Sequence, residues 1–141
     1  MADVGLIRKR LRAEIDLARK SAATRRERAA VAERAYEKFL ESVAIPAFRQ
    51  LATVLRAESI PFDVQTPAGG VRLVSDRHRD GIQLELDTTL DPPQPLLVST
   101  QTRGSRVVRN ERHVKDGADI EAIGEDDVIE RLIEELRPWL G

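Results

Sequence analysis

The chain has 141 residues, of which 41% are hydrophobic and 33% charged, and this length suits one domain whose core needs no covalent staples. It contains no Cys, which excludes disulfides, thiolate zinc sites and cysteine nucleophiles. The net charge of −1 hides an asymmetry, because residues 1–60 carry 13 Lys/Arg against 8 Asp/Glu whereas residues 116–141 carry 2 against 9. The two ends of the chain therefore have opposite charge.

The first residues do not have the order of a secretory signal peptide. Such a peptide begins with basic residues and continues with roughly 7–15 apolar ones, whereas here Leu6 and Ile7 are followed at once by Arg8, Lys9 and Arg10. No apolar run approaches the roughly 18 residues of a membrane-spanning helix. We expect a cytoplasmic protein that has no membrane partner.

From Ile7 to Ala57 the sequence has no glycine and a single proline, and it is dense in good helix formers. Its first part, to Ala35, is rich in alanine and charge. A heptad frame started at Val4 places large apolar residues at both ends of the seam but charged or small residues in its middle. A leucine zipper is not supported, although an alanine-lined helix packing on another helix remains open. The two seam positions hold Val4, Leu11, Ala18, Arg25, Ala32 and Phe39, and Ile7, Glu14, Ser21, Arg28, Ala35 and Ser42.

From Tyr36 to Leu55, apolar residues recur at steps of three and four, which predicts a helix with a broad face against a sheet. Pro46 lies inside this pattern and indicates a kink near Ala44–Ile45, either in one helix that bends or between two helices. We favour the bend. The pattern also divides the chain into a projecting basic helical arm, 1–35, and a compact domain, 36–141, whose first helix covers 36–58.

After the helix the apolar period changes to two. Residues 62–66, 71–75, 82–87, 96–102 and 105–109 alternate as strands, most clearly where Ile82, Leu84 and Leu86 face one side. One buried and one wet face is typical of an antiparallel sheet. Residues 67–70 and Arg103–Gly104 have turn chemistry, 76–81 is a charged connection and 88–95 a stiff proline loop. We predict a meander of four to five strands over 62–110.

An acidic helix is predicted at the C-terminal end, over 125–138. Gly124 precedes three carboxylates, which the helix dipole favours in a first turn. An apolar face follows from Val128 to Leu136. We expect Pro138 to end the helix and Trp139 and Leu140 to pack back. The fold class is therefore α+β, with a long kinked N-terminal helix, the antiparallel meander and a C-terminal helix packed on the sheet.

The N-terminal helix carries the main candidate binding residues, nine basic side chains against three acidic ones between Arg8 and Arg28. A helix of this kind can neutralise phosphates without reading sequence, or it can be a solvated face or the partner of an acidic segment in a neighbouring subunit. No aromatic residue interleaves it, which argues against base stacking. The nine residues are Arg8, Lys9, Arg10, Arg12, Arg19, Lys20, Arg25, Arg26 and Arg28.

Other polar residues give weaker signals. His78 and His113 would need convergent carboxylates to form a catalytic or metal site, and surface histidines are the simpler interpretation. Glu85 and Asp87 share a strand face and could hold a cation, although charged residues are common there. A set of arginines on the last hairpin could bind an anion. The simpler interpretation is that these arginines pair with Glu85, Asp87 and Glu111 across strands. The arginines are Arg103, Arg106, Arg109 and Arg112, with Arg72 on a neighbouring strand.

No phosphate loop, nucleophile elbow or dinucleotide fingerprint is present in the sequence. We therefore expect a non-enzymatic interaction module without a cofactor. It would form a homo-oligomer, with a dimer favoured, or bind a protein partner through the N-terminal helix, because an isolated helix is marginal in water. The alternative is a sequence-nonspecific nucleic-acid-binding protein that uses the basic helix.

Overall fold

Three helices and five strands make up the fold of the chain, described here from a computed structural model that covers residues 3–76, 80–117 and 119–141. The helices are α1 (Val4–Phe39), α2 (Ile45–Ala57) and α3 (Glu125–Leu140). The strands are β1 (Phe62–Gln65), β2 (Val71–Ser75), β3 (Gly81–Asp87), β4 (Gln94–Arg103) and β5 (Arg106–His113). The α+β class and the element order agree with the sequence.

The N-terminal helix continues through Pro46 as one helix with a change of geometry. Asp3 begins it, accepting a hydrogen bond from the Gly5 amide at 2.8 Å. A π-helical turn, Leu40–Ala44, joins α1 to α2, and in it the Ile45 amide donates to the Leu40 carbonyl. Pro46 then lies in the first turn of α2, directly after this π-helical turn. The prediction of one long helix rather than two separate ones is confirmed.

The five strands form an antiparallel meander in the order β1-β2-β3-β4-β5. Gly104, at φ 63°, makes a two-residue turn that sets Arg103 opposite Arg106. The sheet is longer than predicted, because β5 continues to His113 rather than ending near residue 110. Polar and charged residues dominate the end of β5, so the alternation of apolar side chains that marks a strand is absent there.

The core lies between one face of the sheet and the helices. Leu73, Leu84 and Leu97 occupy adjacent strands on this face and are fully buried. Phe48 of α2 and Leu132 of α3 belong to the same buried cluster. The buried side chains of β3 and the apolar face of α2 therefore pack in the same core, as the sequence predicted.

We expected the C-terminal helix to end at Pro138, but it continues to Leu140. A proline in the last turn removes only one hydrogen bond from a helix that is about to end. Trp139 packs edge-on against Phe62, with ring centroids 6.0 Å apart and planes at 84°, which holds this turn on the core. Among the described residues no helix is long and apolar enough to cross a bilayer.

Candidate interaction surface on the N-terminal helix

All nine predicted basic residues lie on α1 with exposed side chains. At 3.6 residues per turn, they do not share one face. Arg8, Arg12, Arg19 and Arg26 follow one flank of the helix, Arg10, Arg25 and Arg28 lie toward the other, and Lys9 and Lys20 point away from both. The structure thus surrounds the helix with positive charge instead of concentrating it in a groove.

Of the nine, only Arg28 forms an ion pair within the part of the chain that the structure describes. Its Nη1 atom lies 3.5 Å from Oδ2 of Asp91, in the loop between β3 and β4, and both side chains are partly exposed. An exposed pair of this length contributes little to folding stability. The other eight charges face solvent, so they remain open to an external partner.

Between the two basic flanks runs a row of apolar side chains that the heptad frame did not reveal. The apolar stripe consists of Val4, Ile7, Leu11, Ile15 and Ala18. Its four large members are 73%, 53%, 57% and 39% exposed, respectively. A row of this kind on a helix normally faces a core or a partner, and here it faces solvent in the described chain.

The signal for this stripe was present in the sequence but has the wrong period for a heptad. Its steps are three, four, four and three residues, and Val4 to Ile15 and Ile7 to Ala18 each span eleven. An eleven-residue spacing follows one side of a nearly straight α-helix, whereas a seven-residue frame drifts off it. The strict frame assigned Glu14 to the seam and passed over Ile15.

Further along α1, the same side of the helix is covered by the rest of the protein. Ala22 and Ala29 are half-buried and line one groove with Thr88, Leu90 and Pro93 of the β3–β4 loop. Ala32 and Tyr36 are buried in the core. One side of the helix is therefore covered from about Ala22 onward and uncovered before it.

Tyr36 fixes the covered part of the helix to the end of the sheet. Its hydroxyl donates a hydrogen bond of 2.9 Å to the Gly69 carbonyl in the β1–β2 connection. Burial raises the pKa of the Tyr36 phenol far above its usual value, and the charge of Glu85 adds to the rise in pKa. The phenol therefore stays a neutral donor, and α1 leaves the body from a fixed point.

A groove of about 530 Å³ lies on another side of the covered segment. Val31, Ala35, Pro92, Pro93 and Ile120 form apolar walls. Gln94 also lines it, and its Oε1 atom is buried without a hydrogen-bond partner among the described residues. The groove offers shape and apolar area, and carboxylates of Glu27, Asp119 and Glu121 also line it.

Two arginines of the last hairpin, Arg109 and Arg112, pair with carboxylates, and Arg109 alone does so across strands. Arg109 lies 3.1 Å from Glu111 and 4.0 Å from Glu85. Arg112 instead reaches α3, where it pairs with Glu134 and lies 3.9 Å from Glu135. These pairs offset the charge of Arg109 and Arg112, whereas Arg103 and Arg106 form no ion pair in the described chain.

Those of the remaining candidates that the structure describes also have structural partners. His113 Nε2 lies 2.9 Å from Oδ2 of Asp87. The hydroxyl of Thr89, followed by His113, holds the pKa of the Asp87 carboxyl below its usual range. His78 lies outside the described residues, and within them no three His, Asp or Glu side chains are grouped to hold a metal ion.

Comparison of the chain with models of protein families, with curated proteins and with solved structures gave no match. The case for a function therefore rests on the surface of α1 itself.

Proposed function

We propose that this protein is a non-enzymatic interaction module that self-associates through the apolar stripe of α1. The observation that carries the proposal is the uncovered row from Val4 to Ala18, which continues a side of the helix that elsewhere packs on the protein's own body. A second copy that covers this row would complete the same packing.

The energetics favour a specific contact of modest size. Burying one large aliphatic side chain contributes about 1.5–3 kcal/mol, and the stripe offers four such side chains in each copy. Because α1 is anchored at Tyr36, an isolated helix need not be nucleated on binding. The flanking arginines keep the stripe narrow, which limits association to a partner that fits between them.

The test is sedimentation equilibrium of the full chain over a wide concentration range, with Leu11→Arg as the disrupting variant. Leu6→Arg is the matched control, since Leu6 is 66% exposed but lies on another side of the helix. Arginine keeps helix propensity, which circular dichroism would verify. We expect Leu11→Arg to weaken association at least about 100-fold and Leu6→Arg to leave it nearly unchanged. A wild-type chain that stays monomeric throughout would refute the proposal.

A sequence-nonspecific nucleic-acid binder is the second candidate, supported by the eight exposed basic side chains of α1 that form no ion pair in the described chain. Duplex DNA titrated at several salt concentrations separates the two candidates. A binder would lose affinity steeply with salt and on replacing Arg8, Lys9, Arg10 and Arg12 by Ala. Leu11→Arg adds a positive charge, so it would keep or strengthen DNA binding while abolishing self-association.

A further inference from the structure

We infer that the partner of the apolar stripe is a second copy of the chain running antiparallel, with Leu11 of each copy meeting at the two-fold axis. This inference rests on the proposed self-association and adds its direction and register. Two features of the described residues carry it, the spacing of the stripe and the position of the body, and the charges on the flanks are compatible with it.

The spacing of the stripe is the same in both directions from its centre. Val4 and Ala18 are each seven residues from Leu11, and Ile7 and Ile15 are each four. An antiparallel pair centred on Leu11 therefore sets Ile7 against Ile15 and Val4 against Ala18, twice, with no apolar position left unmatched. A self-complementary patch of this kind is what a two-fold interface requires.

The body of the protein decides against a parallel pair. The covered residues Ala22, Ala29 and Tyr36 lie on the same side of α1 as the stripe, so the body occupies the space into which a parallel partner helix would continue. In an antiparallel pair the partner's α1 helix begins opposite Ala18, one turn before Ala22, because its first residue is Val4. The overlap of fifteen residues, about 22 Å, matches the uncovered length.

Charge is compatible with this arrangement. Arg10 and Glu14 lie on the same flank one turn apart, and the two-fold axis brings Arg10 of each copy beside Glu14 of the other. On the opposite flank Arg8 and Arg12 approach each other, but both are exposed and salt screens exposed charges. A parallel pair would place Glu14 near Arg19, which is also attractive, so the body and not the charge selects the direction.

Disulfide trapping tests the register directly, because the chain has no cysteine of its own. Leu11→Cys, Ile7→Cys, Ile15→Cys and the off-stripe control Leu6→Cys are each oxidised with copper–phenanthroline, singly and as a mixture of Ile7→Cys with mass-tagged Ile15→Cys. We expect Leu11→Cys to cross-link to itself and the mixture to give the mixed dimer. Ile7→Cys alone should form no disulfide cross-link to itself, since its two copies would be about 12 Å apart along the axis, beyond disulfide reach.

The outcomes separate the inference from the proposal beneath it. Self-cross-linking of Ile7→Cys without the mixed dimer would show a parallel pair and overturn the register. Cross-linking of Leu11→Cys with neither of the other products would also overturn it, while self-association would stand. If Leu11→Cys cross-links no faster than Leu6→Cys and the wild-type chain is monomeric, the proposed function itself fails.

Discussion

The two halves of α1 have the same amphipathic pattern but different surroundings. From Ala22 to Phe39 the apolar side faces the β3–β4 loop and the core, and from Val4 to Ala18 it faces solvent. An apolar stripe on a helix therefore predicts that something covers it, without saying whether the cover belongs to the same chain. The cover ends near Ala22, and the proposed self-association depends on this boundary.

The largest expected effect on folding stability comes from comparing one substitution in α2 with one in the uncovered part of α1. Leu51, on α2, is 6% exposed and lies in the core cluster, whereas Leu11 is 57% exposed. Leu51→Ala should lower the free energy of unfolding by about 2–5 kcal/mol. Leu11→Ala should change it by less than about 0.5 kcal/mol in the monomer. Urea unfolding at a concentration too low for association measures both, and equal losses would contradict the comparison.

An intermediate effect is expected at Asp87, which holds the start of the covering loop. Its carboxylate accepts hydrogen bonds from the Thr89 amide at 3.0 Å and from the Thr89 hydroxyl, and it lies beside His113. These contacts lower the pKa of Asp87, so its stabilising contribution is present above pH of about 4 and is lost as the pH falls through the lowered pKa of the folded state.

We therefore expect Asp87→Asn to cost about 1 kcal/mol at neutral pH and progressively less toward pH 2. Thermal unfolding of both proteins between pH 2 and pH 7 gives this difference. Asp116→Asn, at an exposed position, is the control and should show no such trend. A difference between wild type and Asp87→Asn that grows on acidification would contradict the assignment.

The smallest effect on stability is expected at the ion pair between α1 and the β3–β4 loop. Arg28→Ala removes the 3.5 Å pair with Asp91 and should cost less than about 1 kcal/mol, a loss that 1 M salt removes. Arg26→Ala is the neighbouring control, since Arg26 forms no ion pair in the described chain. Chemical denaturation by urea at low and high salt measures the difference, and a loss that persists at high salt would mean that Arg28 acts through packing.

Much of the body could be predicted because its signals are local. The alternation of Ile82, Leu84 and Leu86 follows from the two-residue period of a strand, and it identified β3 and its buried face. The step of three and four residues from Tyr36 to Leu55 likewise identified the packed helix. Both patterns reflect a backbone period that one stretch of sequence contains in full.

Other contacts could not be predicted because they depend on how distant elements cross. Arg112 was expected to pair within the sheet, yet it meets Glu134 and Glu135 of α3. Ser99 and Asn110 converge on the same Glu135 carboxylate, at 3.3 and 3.1 Å. Nothing local in these residues indicates that α3 lies over β4 and β5. The apolar stripe of α1, in contrast, is a local pattern, but its eleven-residue period does not fit a heptad frame.

The π-helical turn at Leu40–Ala44 also sets the angle, measured around the helix axis, between the apolar side of α1 and the apolar side of α2. Leu55 lies nineteen residues after Tyr36, but five full turns of an α-helix take eighteen. A regular helix would therefore rotate the apolar side of α2 by about 100° relative to that of α1, and the one residue absorbed in the π turn restores the alignment. The turn acts as a single-residue insertion, and a chain lacking Ser42 and carrying Ala in place of Pro46 would present the same faces on an unbroken α-helix.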